Sequence, residues 1–134
     1  MNMPPERARR ILQTLRDPNL GYRIFSYFNT RCKRSNGTVS KLRTRCACSG
    51  IVHPGTPEMR KSLPEECRGD EYIIVYTRYR LTTGFIENET FYEEADRIEL
   101  ELGGPLWRAV SVKRWDPFGF YVVLAVKMNE EMAS

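Results

Sequence analysis

The sequence predicts a mainly β fold of the α+β kind: a small antiparallel β-barrel or sandwich, fronted by one amphipathic helix and carrying a long Pro/Gly-rich loop. Three observations predict it. Residues 5–16, PERARRILQTLR, repeat apolar side chains at helical spacing. Beyond Gly21 the chain changes to aromatic and β-branched runs of period two. Near its end FYVVLAVKM is apolar on both sides of the alternation, as a strand buried on both faces must be. With 134 residues and 41% hydrophobic content, one core and a single domain over residues 1–134 are expected.

The helix, placed at 5–17, sets Ala8, Ile11, Leu12 and Leu15 on one face and arginines on the other, and Asp17-Pro18 stops it. Residues 22–53 form the basic strands. YRIFSYFN reads as a strand, Ser35-Asn36-Gly37 as a turn, and from Thr38 the chain alternates. Leu42, Thr44, Cys46 and Cys48 share one side, and Lys41, Arg43, Arg45 and Ala47 the other, a half-buried strand with a basic outer face. Residues 54–70 are a loop, in which Thr56-Pro57-Glu58 fits the start of a single helical turn.

Residues 71–128 are the expected barrel core. EYIIVYTRYRL reads as one long strand with Ile73, Val75, Thr77, Tyr79 and Leu81 on one face. An acidic loop, IENETFYEEAD, separates it from a hairpin, RIELELGGPLWRAVSV, turned at Gly103-Gly104-Pro105. In the last strand Phe120, Val122, Leu124, Val126 and Met128 line one face and Tyr121, Val123 and Ala125 the other.

Charge is polarised along the chain: residues 1–50 hold 11 Lys+Arg against 2 Asp+Glu, the remainder 10 against 15. A basic half on an acidic half suits copies that pack side by side, and equally a nucleic-acid contact. No apolar run has the length of a membrane span, and MNMPPERARR leads into an amphipathic segment, so no membrane partner is expected and synthesis in the cytoplasm is. There the cysteines stay mostly reduced.

No catalytic constellation stands out, and the chain reads as a non-enzyme. Its single histidine, His53, has no nucleophile elbow, phosphate loop or paired ligand spacing around it. The zinc candidates are Cys46 and Cys48, with Cys32, His53 and Cys67; the simpler reading makes the thiols small buried hydrophobes, with no metal and no cofactor.

The order of segments resembles a family. Gly50-Ile51-Val52-His53-Pro54, then Leu63-Pro64-Glu65, then the strand from Ile73 to Tyr79, look like small connector proteins of the tailed-bacteriophage neck. Further on, Ala95-Asp96-Arg97-Ile98, Leu106-Trp107-Arg108-Ala109-Val110-Ser111-Val112, Trp115-Asp116 and Gly119-Phe120-Tyr121 are similar to their C-terminal pattern. The likeness covers residues 50–128 and departs at Glu65-Glu66-Cys67, where the family pattern carries a glycine.

The resemblance implies a structural virion protein, a homo-oligomeric ring that closes the DNA-filled head below a portal or adaptor and meets a tail-completion or tail protein beneath. Trp107, Trp115, Asp116, Gly119, Phe120 and Tyr121 would then build the barrel. Arg43 and Arg45 of one copy would face Glu93 and Glu94 of the next, with weak, non-specific contact to packaged DNA. Two alternatives are a tail-completion or terminator ring, and a nucleic-acid-binding domain using Lys41, Arg43 and Arg45 with Tyr22, Phe25 and Tyr27.

Overall fold

The computed structural model describes residues 3–17, 22–115 and 118–129. Helix α1 (Pro5–Arg16) comes first, followed by β1 (Arg23–Ser35) and β2 (Thr38–Pro54). Two 3₁₀ turns, Met59–Ser62 and Glu65–Cys67, precede β3 (Tyr72–Thr77). The short strands β4 (Phe85–Ile86), β5 (Phe91–Glu93) and β6 (Arg97–Glu99) lead to β7 (Leu106–Trp115) and β8 (Phe120–Lys127).

Every pairing is antiparallel, and the sheet closes. Strands β2, β3, β8, β7, β6 and β1 lie edge to edge in that order, and β1 pairs back to β2, so six strands form a closed barrel. Strands β5 and β4 continue the sheet outward from β1. Closure decides for a barrel over a sandwich.

Two layers of apolar residues result. Inside the barrel Phe25, Cys48, Ile73, Val75, Ile98, Trp107, Ala109, Val123 and Ala125 meet, drawn from all six strands. On the outer face of β3 and β8, α1 lays Ala8, Ile11 and Leu15 over Tyr72, Ile74, Tyr76, Phe120, Val122, Leu124 and Val126. The double-sided alternation of β8 has this cause: odd positions fill the barrel and even ones meet the helix. A bulge in β7 between Ala109 and Ser111 keeps Val112 on the inner side after the bend.

Several expectations are corrected. The strand from residue 71 ends at Thr77, because the Thr77 hydroxyl accepts the Tyr79 N–H at 3.1 Å and donates to the Ser49 carbonyl at 2.7 Å. Tyr79 is consequently exposed, while Leu81 returns to the barrel layer. The loop 54–70 holds two short turns instead of one; ahead of the first, the Thr56 hydroxyl accepts the Met59 N–H at 3.3 Å. The acidic segment is no plain loop either, since β4 and β5 form within it.

Trp107 is buried in the barrel opposite Ile98, deeper than a half-buried cross-strand contact. Trp115 is half-buried, packed on the helix-covered layer with the Lys113 Nζ 5.5 Å from its ring centroid. Gly119 takes the turn at φ +74°, setting Phe120 into the helix-covered layer and Tyr121 toward the barrel. Asp116 lies outside the described residues.

Candidate interaction surface

Strands β1 and β2 are much longer than the barrel is tall. Their hairpin runs in unbroken register from Arg23 opposite Gly50 to Ser35 opposite Thr38 and turns on Asn36 and Gly37 at φ +50° and +76°. Two consecutive positive φ values define the tight hairpin turn that suits the right-handed twist of its strands, and Asn-Gly adopts it at little cost. Only the inner part of β2 is covered; residues 38–45 are exposed. Thus the half-buried strand expected from Leu42, Thr44, Cys46 and Cys48 becomes buried only at Cys48, and Leu42 stands 65% exposed. The alternation itself holds, but among the described residues no second layer covers the outer half.

What joins the projecting hairpin is the acidic segment. β5 adds to β1 with Arg31 opposite Glu93 and Lys33 opposite Phe91, and β4 adds to β5. Asn88 Oδ1 shapes the connecting turn by accepting the N–H groups of Thr90 and Phe91 at 2.8 and 2.9 Å. β2, β1, β5 and β4 therefore form a four-stranded wing extending from the barrel.

Across the wing and the adjoining strand β6, the polarised charge of the sequence is matched inside a single chain. Arg31 Nε lies 3.1 Å from Glu93, Lys41 Nζ 2.6 Å from Glu94, and Arg45 Nη2 2.5 Å from Glu99. Glu94 also meets Arg97 at 3.6 Å. Hydrogen bonding between Lys41 and Glu94 raises the lysine pKa and lowers that of the carboxylate. Of the four residues expected to face a neighbouring copy, Arg45, Glu93 and Glu94 have partners in their own chain, and Arg43 instead stacks 4.1 Å from the Phe28 ring centroid. Arg34 lies likewise over Tyr92 at 4.6 Å, and Lys33 over Phe91 at 5.9 Å.

The aromatic residues beside the basic face are therefore Phe28 and Tyr92. Phe25 and Tyr27 stand opposite Cys48 and Cys46, on the barrel side of the hairpin. Burial, then the nearby Cys46 thiol, push the Tyr27 phenol pKa upward. Phe28 was legible as the odd member of YRIFSYFN, since it shares a face with Arg43 and Arg45 across the register.

Asp96 anchors the wing to the barrel. It is 2% exposed, and its carboxylate accepts from Asn29 Nδ2 and from the Thr82 N–H, both at 2.9 Å. Its backbone N–H donates to Thr82 O at 2.8 Å, and its carbonyl accepts from Ala109 N at 2.9 Å. One residue thus ties β1, the segment after β3 and β7 together. Burial raises its pKa, opposed by the Thr82 and Asn29 hydrogen bonds. It lines an open depression of about 700 Å³ at the barrel mouth with Tyr27, Asn29, Arg80, Arg114 and Tyr121. Both carboxylate oxygens hold structural donors, so this aspartate serves as a staple between the segments it joins.

The zinc candidates are dispersed. Cys46 and Cys48 lie on the barrel side of β2, whereas Cys32, opposite Lys41, lies on the other face of the hairpin. Cys67 belongs to the helix-covered layer and His53 is an exposed residue edge-on to Tyr76. Among the described residues no group of three His, Cys, Asp or Glu side chains converges to hold a metal ion. Burial pushes the Cys48 thiol up to about 11, against its contact with the Thr77 hydroxyl at 3.6 Å. That thiol packs as a small apolar group.

No helix of the described residues is long and apolar enough to cross a membrane. No protein-family model matches the chain, and no curated protein matches it. The fold and surface define a small closed antiparallel β-barrel with a helix on one side and a four-stranded wing on another.

Proposed function

We propose that this chain is a non-enzymatic structural subunit of a tailed-bacteriophage neck, acting in the virion as a ring that closes the head below the portal and joins it to the tail. One observation carries the reading. The residues that resemble the connector pattern occupy positions on which barrel geometry depends, and the wing leaves the barrel as a separate projecting surface. Gly50 of the first motif lies where β2 crosses closest to β3: a Cβ there would sit 2.5 Å from the Tyr76 carbonyl oxygen. Asp96 is the staple, Trp107 fills the barrel, and Gly119 turns β7 into β8.

A rigid barrel suits a subunit repeated around a channel, with the wing and terminal segments reaching neighbours, portal or tail protein. A reconstruction of the neck of a virion containing this chain tests the reading. A ring of copies between portal and tail is expected, and a single copy or absence from that layer overturns it. A ring one layer lower favours the tail-completion alternative.

The stacked pairs Arg43 with Phe28 and Arg34 with Tyr92 favour one further reading, nucleic-acid binding by the wing. Because Arg31, Lys41 and Arg45 are matched by carboxylates, the neck reading expects duplex DNA to bind on the order of micromolar or weaker at physiological salt. A salt-resistant, sub-micromolar complex favours the nucleic-acid reading instead.

A further inference from the structure

Among the described residues, the wing ends in two strand edges that pair with no further strand. Strand β4 pairs with β5 on one side only. Strand β2 pairs with β3 through residues 50–54, so residues 38–49 have β1 on one side and, among the described residues, no strand on the other. Ser35 and Thr38 flank a two-residue turn and form a hydrogen-bonded pair. Strict alternation from there aims the backbone groups of residues 39, 41, 43, 45 and 47 away from β1. An uncovered edge of this length is a template for another strand.

Direction, face and charge of the two edges match. β1 runs opposite to β2 and β5, and β5 opposite to β4, so β4 runs opposite to β2. When a second copy is placed beside the first by rotation about an axis along the strands, β4 of one meets β2 of the other antiparallel. The register also fixes faces. Leu42 lies opposite Arg31, Arg31 opposite Glu93 and Glu93 opposite Phe85, which sets Leu42 and Phe85 on one face of the wing. Val39 shares the face of Arg34 and Cys32, and Cys32 leads through Tyr92 to Ile86, which sets Val39 and Ile86 on the other.

All four are exposed apolar side chains: Leu42 65%, Phe85 48%, Val39 48% and Ile86 75%. Among the described residues Glu87 and Glu89, which follow β4, form no ion pair, and Lys33, opposite Ser40 on the face of Leu42, meets the Phe91 ring but no carboxylate.

We infer that successive copies of this chain join edge to edge, β4 of one adding antiparallel to the outer half of β2 in the next. The contact rests on the ring reading above and names the surfaces that make it. It is heterologous: each copy offers β4 on one side and β2 on the other, so the sheet runs on from copy to copy and closes when the rotation does. With Phe85 set opposite Leu42 of the neighbour, Ile86 falls opposite Lys41 and next to Val39, and Glu87 falls opposite Ser40, with Lys33 beyond it on the same face.

The test is self-association of the full chain, followed by sedimentation from micromolar to millimolar concentration. Carbodiimide cross-linking of mixed unlabelled and ¹⁵N-labelled chains reads the contact itself. Mixed-label cross-links joining Glu87 or Glu89 to Lys33 are expected. Ile86→Asp, and separately Glu87→Lys with Glu89→Lys, should weaken association by about tenfold or more, and adding Lys33→Glu to the charge variant should restore it. These side chains are exposed, so an unchanged circular-dichroism melt keeps misfolding out of the comparison. The inference is overturned if the chain stays monomeric at millimolar concentration, if mixed cross-links join other faces, or if association ignores these substitutions. A virion ring held through other faces would leave the ring reading standing while removing this contact.

Discussion

Strands β1 and β2 each pass through two environments. Their inner halves put Phe25 and Cys48 at 5% and 2% exposure inside the barrel, where α1 and six strands enclose two apolar layers. Their outer halves carry Arg31, Lys33, Arg34, Lys41 and Arg43 in the open, held by carboxylates and aromatic rings. The same backbone ladder continues through both, so what differs is the source of stability. Apolar burial supports the barrel at about 1.5–3 kcal/mol per large side chain, whereas exposed ion pairs contribute about 1 kcal/mol or less each. The barrel can therefore bear substitutions in the wing, and the wing's side chains remain available for contacts.

The sharpest way to break this contrast is a deletion in the barrel wall. Phe120 is fully buried between β8 and α1, and Phe120→Ala should cost about 3–5 kcal/mol in urea unfolding. Leu42→Ala in the wing should change stability by about 0.5 kcal/mol at most. Comparable losses for the two would dissolve the distinction.

The staple between the regions comes next. Asp96→Ala strands the buried donors of Asn29 and Thr82 and should cost about 3 kcal/mol, with Asp96→Asn milder because one acceptor remains. The sign with pH follows from its raised folded pKa. Between the unfolded and folded values the native state holds more protons than the unfolded one, so this group's contribution falls as pH rises through the carboxylate range. Asp96→Asn should remove that slope, which stability curves of the two proteins measured against pH will show.

Gly50→Ala probes the boundary where β2 leaves β3. A Cβ directed 2.5 Å from the Tyr76 carbonyl oxygen forces the two strands apart, and a loss of about 2 kcal/mol is expected in thermal or denaturant unfolding. An unchanged midpoint would mean that the crossing is looser than its geometry.

Charge in the wing comes last. Glu93→Lys with Glu94→Lys breaks the pairs with Arg31, Lys41 and Arg97, each contributing about 1 kcal/mol or less because Arg31 and Lys41 are largely solvated. Glu94 has a lowered folded pKa, so its contribution is present above the unfolded carboxylate value and is lost as pH falls through the folded one. Amide exchange should quicken at residues 31–33 and 91–93 and stay unchanged in β3 and β8. Faster exchange throughout the barrel would show that wing and barrel open together.

Much of this architecture was legible in local pattern. PERARRILQTLR carries the face of α1, Asn36-Gly37 the hairpin turn, and FYVVLAVKM the fact that β8 is covered twice. Each depends on period or on the backbone freedom of one or two residues, properties that a short segment holds by itself. The candidate surface was half legible: the basic face of β2 was plain from alternation, but its carboxylate partners were not.

Only the tertiary structure decided which apolar face of β8 meets the helix and which fills the barrel, since both faces are equally apolar in sequence. It also decided that β1 closes onto both β2 and β6, that Asn29 meets Asp96 across 67 positions, and that the acidic segment is bound to the basic hairpin of its own chain. Alternation tells a strand which side chains go together and says nothing of the neighbour they face. That choice belongs to the long-range pairings that close the barrel, and closure is a property of all six strands at once.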